Sequence, residues 1–418
     1  MKKLICFLLI CCCYASFSQN VSSLNNDDDE INKLLKEIST TNNDSIKSIN
    51  HLRISGLYFK NEKIKEYQFH LQKGKQLSKK NAFLQTYAKY NTALNHLYNN
   101  DYDSLYLEIS EVLKELKQFK NSTSTELQLL IVQNISIYHT INLDYDLSIQ
   151  ILIEEGIPLA KRTHNYTALG ANYESIADSF FELGDYRKSA GYYKLAIGNY
   201  KKEIHKSIDL LSVCYIYYSN CLAQLGDYSE SGRILSEANK ILKKYQGNNL
   251  YPLYYNALGE LNFKLKKYTE AISNFNSGIK IIESNNNAGI NDATYLSLIL
   301  NLAASKYEIK NYKGSLAVLE NLNLNTNDSN ELAANELLYK NFDKLGNYEK
   351  AYHYLKGYSS LKDSLDDVTK GKEYRMLEAR YNVSEKQKEI FRLENEKTEK
   401  EIRLQNLRLY YMLEFTVL

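Results

Sequence analysis

Cysteine is almost absent from the body of this chain. Of six, Cys6, Cys11, Cys12 and Cys13 crowd the first thirteen residues, and only Cys214 and Cys221 lie beyond. Those two sit seven apart on one predicted helix, about 10 Å along its axis, which exceeds disulfide reach. Two thiols are also too few for a structural zinc site, so buried thiols are expected. Charge of one sign is lacking too: 52 Lys and Arg stand against 50 Asp and Glu, a net +2, mixed along the chain. That removes the electrostatic argument for nucleic acid or an anionic membrane surface. There is no G-x-G-x-x-G, P-loop, H-E-x-x-H or paired C-x-x-C, and no serine in a nucleophile-elbow setting. The seven histidines (His51, His70, His96, His139, His164, His205, His353) are scattered, with no pair at a metal-like i, i+4 spacing. Neither an enzyme nor a cofactor or metal protein is expected. Tryptophan is missing altogether, whereas tyrosine occurs 37 times.

What is present is a repeat. Leu183-Gly184-Asp185-Tyr186 returns as Leu225-Gly226-Asp227-Tyr228 and as Leu345-Gly346-Asn347-Tyr348. Weaker copies lie at Asp101-Tyr102, Asp144-Tyr145, Lys267-Tyr268 and Asn311-Tyr312. Taking Lys60, Asn100, Leu143, Gly184, Gly226, Lys266, Lys310 and Gly346 as turns gives spacings of 40, 43, 41, 42, 40, 44 and 36 residues. A fixed period of this size signals a solenoid. Around Gly184, Tyr173, Ile176, Ala177 and Phe180 precede the turn at helical spacing, and Tyr186, Ser189, Tyr193 and Ala196 follow it. Each unit therefore reads as a helical hairpin with small residues where its helices approach. Tyrosine fills the aromatic packing slots, and Tyr186, Tyr228 and Tyr348 are expected to be buried at the turns.

This pattern of aromatic, Leu-Gly, aromatic, Gly-Asp-Tyr turn, Ala, aromatic and Ala resembles the tetratricopeptide repeat (TPR). The likeness is strong around Gly184 and good around Gly226, Lys266 and Gly346. It is weak around Lys60, Asn100, Leu143 and Lys310, where the turn glycine is missing. The resemblance implies an all-α, TPR-like α-solenoid, a right-handed superhelix of about eight helical hairpins over 45–363. The period exceeds the usual 34 residues, which implies longer helices or longer turns such as Asn285-Asn286-Asn287 and Asn325-Thr326-Asn327-Asp328. The proline usual after the second helix is largely missing, only Pro158 and Pro252 being present. In this family the first helix of each hairpin lines a concave groove that takes a protein or peptide. Carrying the groove positions over picks Glu174, Asp178, Asn220, Gln224, Asn256, Glu260, Asn301 and Glu308, a polar and acid-leaning set. The basic set that some members use to grip a carboxylate terminus is not found.

The ends read differently. Lys2-Lys3, the apolar stretch Leu4–Phe17, and Ser16 and Ser18 at the −3 and −1 positions form a signal peptide over 1–18, cut before Gln19. A lipoprotein cut at Cys11 or Cys13 and an uncleaved anchor remain alternatives. Residues 19–44, with the acidic stretch Val21–Glu30, read as a flexible linker. Residues 364–406 read as a long charged helix. Met376, Val383, Ile390 and Leu404 share one heptad position, and Ala379, Leu393 and Leu407 its companion, with Lys386, Lys397 and Lys400 interrupting. Either a broken coiled-coil seam, giving a weak homodimer through 370–407, or a single solvated helix fits this pattern. Residues 407–418 turn apolar after Arg403 and Arg408, like the start of a transmembrane helix and a point of membrane contact. This order resembles bacterial sensor proteins in which exported TPR arrays join through one membrane helix to a histidine kinase or helix-turn-helix output. No histidine follows His353, so no phospho-accepting histidine lies in the part present. The expectation is an exported, periplasmic peptide-binding sensor or scaffold, possible anchoring being in the inner membrane; the alternative is a sensor kinase or membrane-bound regulator lacking its output.

Overall fold

The computed structural model describes residues 24–245, 248–284, 291–319, 322, 329–365, 392 and 400–404. The expected signal peptide, the Asn-rich turns at 285–287 and 325–328, most of the charged helix and the apolar segment 407–418 lie outside them. Among the described residues every regular element is helical. None is long and apolar enough to cross a membrane.

The helices are α1 (Leu24–Thr40), α2 (Asp44–Lys60), α3 (Ile64–Leu77), α4 (Ala82–Ala93), α5 (Asn95–Tyr98), α6 (Tyr102–Leu116), α7 (Ser122–Ile141), α8 (Tyr145–Ile151), α9 (Ile157–Arg162), α10 (Tyr166–Glu182), α11 (Tyr186–Tyr200), α12 (Ile208–Gln224), α13 (Tyr228–Tyr245), α14 (Tyr251–Lys264), α15 (Tyr268–Ser284), α16 (Asn291–Glu308), α17 (Tyr312–Leu319), α18 (Ser329–Lys344) and α19, residues 348–365. A π-turn at Leu152–Gly156 joins α8 to α9. Among the described residues these form eight hairpins: α2/α3, α4–α5/α6, α7/α8–α9, α10/α11, α12/α13, α14/α15, α16/α17 and α18/α19. The protein is a TPR-like helical solenoid.

All eight turns are built alike. One residue adopts the left-handed conformation: Glu62, Asn100, Leu143, Gly184, Gly226, Lys266, Lys310 and Gly346 in order. The next residue's amide reaches back five residues, as in Asp185 N–H to Phe180 C=O at 2.9 Å and Lys267 N–H to Asn262 C=O at 2.8 Å. This is a Schellman closure, which satisfies the last carbonyls of the first helix. At five of the turns an Asp or Asn then caps the second helix: Asp185 accepts from the Lys188 amide at 3.1 Å and Asn311 from the Gly314 amide at 3.0 Å, as Asp101, Asp227 and Asn347 do in theirs. Asn43, Asn81, Asn121 and Asn165 cap the first helices of the first four hairpins in the same way. The first turn falls at Glu62, two residues beyond its expected place at Lys60.

Nine residues after each left-handed position stands an apolar side chain: Leu71, Ile109, Leu152, Tyr193, Leu235, Phe275, Leu319 and Leu355. All but the last are buried, because the next hairpin closes over them. Close approach explains the small residues: a Cβ on Gly259 would lie 2.3 Å from the Phe275 ring. Cys214 and Cys221 are both free and buried, as expected.

Two expectations need correction. Residues 19–44 are not simply a linker, because α1 occupies most of that stretch. Its Ile31 and Leu34 are buried against Ile54 and Leu57 of α2, and Lys60 bonds Asp27 at 2.8 Å. The acidic composition of Val21–Glu30 hid an apolar stripe that begins just after it and covers the open end of the stack. Tyr348 is exposed rather than buried, and Tyr186 and Tyr228 are only half-buried. Tyr186, Tyr268 and Tyr312 rest on Phe181, Phe263 and Tyr307, five residues earlier, at 5.2–5.4 Å between ring centroids. The corresponding partner of Tyr348 is Asp343, and that of Tyr228 is Ala223, so neither has a ring to rest on.

Candidate functional site

The first helices of successive hairpins pack along one another, α12 on α14, α14 on α16 and α16 on α18, and so line one side of the stack. Polar side chains bond across several of the junctions between first helices. Asn91 of α4 donates to the Leu52 carbonyl of α2 at 2.7 Å. Asn134 of α7 donates to the Tyr90 hydroxyl of α4 at 3.1 Å, and Gln133 to Asn172 of α10 at 3.4 Å. Lys264 of α14 donates to Gln224 of α12 at 3.2 Å. An amide on a first helix can satisfy its neighbour's acceptor here because backbone groups within each helix are already paired.

The groove residues carried over from the sequence fall into three groups. Asn256, Glu260 and Asn301 come together. The Glu260 carboxylate accepts from the Asn256 amide at 2.8 Å and the Asn301 amide at 3.1 Å, and Asn301 also donates to the Asn256 oxygen at 3.1 Å. Ser297 completes the cluster, its hydroxyl oxygen accepting from Asn256 at 3.3 Å. Burial pushes the Glu260 carboxyl above its ordinary range, and the two amide bonds oppose that shift. Asn256 is buried, and Glu260 and Asn301 are half-buried.

Glu174 and Asp178, one turn apart on α10, are half-buried and turned toward α11. Each accepts a hydrogen bond from a buried tyrosine of α11: Glu174 from Tyr200, Asp178 from Tyr193. Burial raises both carboxyls well above the ordinary range. The neighbouring negative charge adds to the rise, while the tyrosine bonds oppose it. Glu182, one turn further, bonds Tyr145, so a ladder of three acids runs along α10, each meeting a tyrosine hydroxyl. Sequence reading missed Glu182, although its i+4 spacing from Asp178 marks it.

The remaining three do not join a cluster. Gln224 and Glu308 are exposed, Gln224 held by Lys264 and Glu308 bonded to Tyr268, while Asn220 is half-buried. Lys264 was also missed. It occupies the position one turn beyond Glu260, and only the structure brings it to Gln224. Among the described residues no group of three or more His, Cys, Asp or Glu is arranged to hold a metal ion.

No protein-family model matches the chain, and no curated protein sequence matches it. Solved structures do. A Rap protein complexed with competence and sporulation factor is 14% identical, with a TM-score of 0.51, over 82% of this chain and 99% of that one. Aspartyl phosphate phosphatase F from Bacillus subtilis is 13% identical, with a TM-score of 0.52, over 82% of this chain and 95% of that one. At these identities the likeness is one of fold: helical hairpins stacked as here.

Proposed function

We propose that this chain is an exported peptide- or protein-binding sensor or scaffold, with the side lined by the first helices as its binding surface. The observation that carries this reading is the Asn256–Glu260–Asn301 cluster. Three polar side chains from two adjacent first helices meet on that side, Asn256 buried and Glu260 and Asn301 half-buried, with amide and carboxylate groups of the kind that bond an extended backbone. An extended segment contacting several repeats at once would suit a stack that offers a long surface rather than one closed pocket. The likeness of fold to a Rap protein complexed with competence and sporulation factor is in keeping with a binding role. The acid-leaning residues favour a ligand that is neutral or basic over an acidic one.

In this reading the C-terminal segment carries the signal. A shift in the stack on binding would alter pairing of two chains through 370–407 and so reach the membrane. A histidine kinase or helix-turn-helix output joined beyond that segment would make the same array the sensing half of a regulator.

The test is selection from a pool of random short peptides on the immobilised full chain, followed by titration of the winners. Binding should weaken about tenfold or more in Asn301→Ala and Glu260→Gln, with helicity unchanged. Selected peptides that bind both variants as tightly as the parent would overturn the assignment of the surface.

A further inference from the structure

The apolar core is divided at α10. Ile176 and Phe180 of that helix join a block that runs back to Leu52, whereas Ala177 joins a block that runs on to Leu261. Tyr193 and Tyr200 of α11 belong to the second block and are at most 1% exposed. A polar layer lies at this division. It consists of the Glu174 and Asp178 carboxyls and the hydroxyls of Tyr200 and Tyr193 that bond them. The buried thiols of α12 adjoin it, Cys214 feeling the charge of both carboxylates and Cys221 that of Asp178.

Two carboxylates one turn apart on a helix repel when both are ionised. Half-buried, they also lose hydration that a cation or several donors must replace. Here each has one phenol. The charges that reach them along α10 are negative, Asp178 acting on Glu174 and Glu182 on Asp178. The nearby lysines are engaged elsewhere: Lys188 and Lys194 of α11 lie over the rings of Phe180 and Tyr218, and Lys201 and Lys202 after it lie over Tyr215 and Tyr166. On the other sides of α10, Tyr145 of α8 bonds Glu182, Gln133 of α7 bonds Asn172, and Glu203 bonds Thr167. From α12 come the two thiols, which burial pushes above their ordinary range and so keeps neutral. Among the described residues no cation bonds either acid of the pair.

We propose that Glu174 and Asp178 form a proton-gated hinge between the two blocks of the stack. With a proton on the pair, α10 packs closed on α11 and α12; with both acids ionised, their repulsion loosens that packing. Burial in the first place, and then the neighbouring negative charge, move the titration above the ordinary carboxylate range of about 4. The two acids titrate as a unit. The closed joint therefore holds protons that the unfolded chain has already released. Its stability is full below the ordinary carboxylate range and is lost as pH rises through the titration of the pair. Loosening at this one division lets the two blocks turn relative to each other while each keeps its own apolar core. The device lies in α10 to α12 and is independent of any ligand at Asn256, Glu260 and Asn301.

The test is amide hydrogen exchange of the full chain, with rates corrected for the intrinsic pH dependence of exchange. Between about pH 5 and about pH 8 the opening equilibrium of α10 and α11 should rise about tenfold or more, since a carboxyl held one pH unit above its ordinary value accounts for tenfold. Asp178→Asn keeps an oxygen for Tyr193, and Glu174→Gln keeps one for Tyr200. Each should flatten the rise, and the difference from the parent should be confined to α10, α11 and α12. Tyr193→Phe removes a bond that opposes the shift, so it should move the rise to higher pH. No rise in the parent, or the same profile in the parent and both acid variants, overturns the inference. A difference spread evenly over the whole stack overturns it as well, because the substitutions then act on global stability. Should the acid variants fail to fold, Tyr193→Phe decides: a rise that stays at the parent's pH refutes the hinge.

Discussion

Exchanging the turn residues of two neighbouring hairpins should change stability in opposite directions. Gly226 and Lys266 hold the same left-handed conformation, with φ of +81° and +58°. A side chain in that region costs about 1–2 kcal/mol because its Cβ crowds the following carbonyl. Glycine escapes that cost but is looser in the unfolded chain, which returns about 0.5–1 kcal/mol. Lys266→Gly should therefore stabilise by about 0.5–1 kcal/mol. Gly226→Lys should destabilise by a similar amount. A Cβ at Gly226 has no atom within 4 Å, so its whole cost is in the backbone. Leu143→Gly should gain less, because Leu143 packs on the core and that contact would be lost. Asn100→Gly should change little, asparagine being tolerant of this conformation. Urea midpoints followed by far-ultraviolet circular dichroism measure these differences, with amide exchange in α14 and α15 localising the first. A lower midpoint for Lys266→Gly, of the size expected for glycine in a mid-helix site, would refute the account of the turns.

Tyr193→Ala should cost about 3 kcal/mol or more, since the ring is fully buried and truncation leaves a cavity; an unchanged denaturation midpoint would contradict the repeat register. His51 and His70 bond each other through Nδ1 at 2.9 Å, and burial depresses both, His70 to about 4. Their contribution to the first hairpin is therefore present above the ordinary histidine value of 6.5 and lost as pH falls toward 4. His70→Asn should flatten the pH dependence of amide exchange in α2 and α3, and an identical profile in parent and variant would rule out this pair as its source. Protein recovered from the cell envelope should begin at Gln19 by terminal sequencing, whereas a lipid-modified cysteine at the new terminus would make the chain a lipoprotein.

Much of the architecture is legible in the sequence. A hairpin places its turn, its small residues and its aromatic residues at fixed offsets, and contacts repeat between nearest neighbours, so periodicity alone reports eight units. The left-handed turn residues are a clear instance. Asn100, Leu143, Lys266 and Lys310 carry no glycine signal, yet the period places each of them correctly. Local composition was a weaker guide: the acidic run at Asp27–Asp29 suggested a linker, although Ile31 and Leu34 lie just beyond it. Tyr348 shares its motif with Tyr186, but it stands in the last hairpin and has Asp343 where Tyr186 has the Phe181 ring, and it is exposed.

The groove divides along the same line. The sequence determined which side of each first helix faces its neighbours, because helical spacing is local. It could not determine whether a polar residue on that side is free. By repeat position alone Glu174 and Asp178 are equivalent to Asn256 and Glu260. Tertiary packing turns the first two toward Tyr200 and Tyr193 of α11 and leaves Glu260 among the amides of Asn256 and Asn301. Apart from the local Asn256–Glu260 bond, that outcome depends on side chains 15 to 41 residues apart reaching one point in space. Stacking likewise decided that Leu355 is bare while Phe275, at the same place in its own hairpin, is covered.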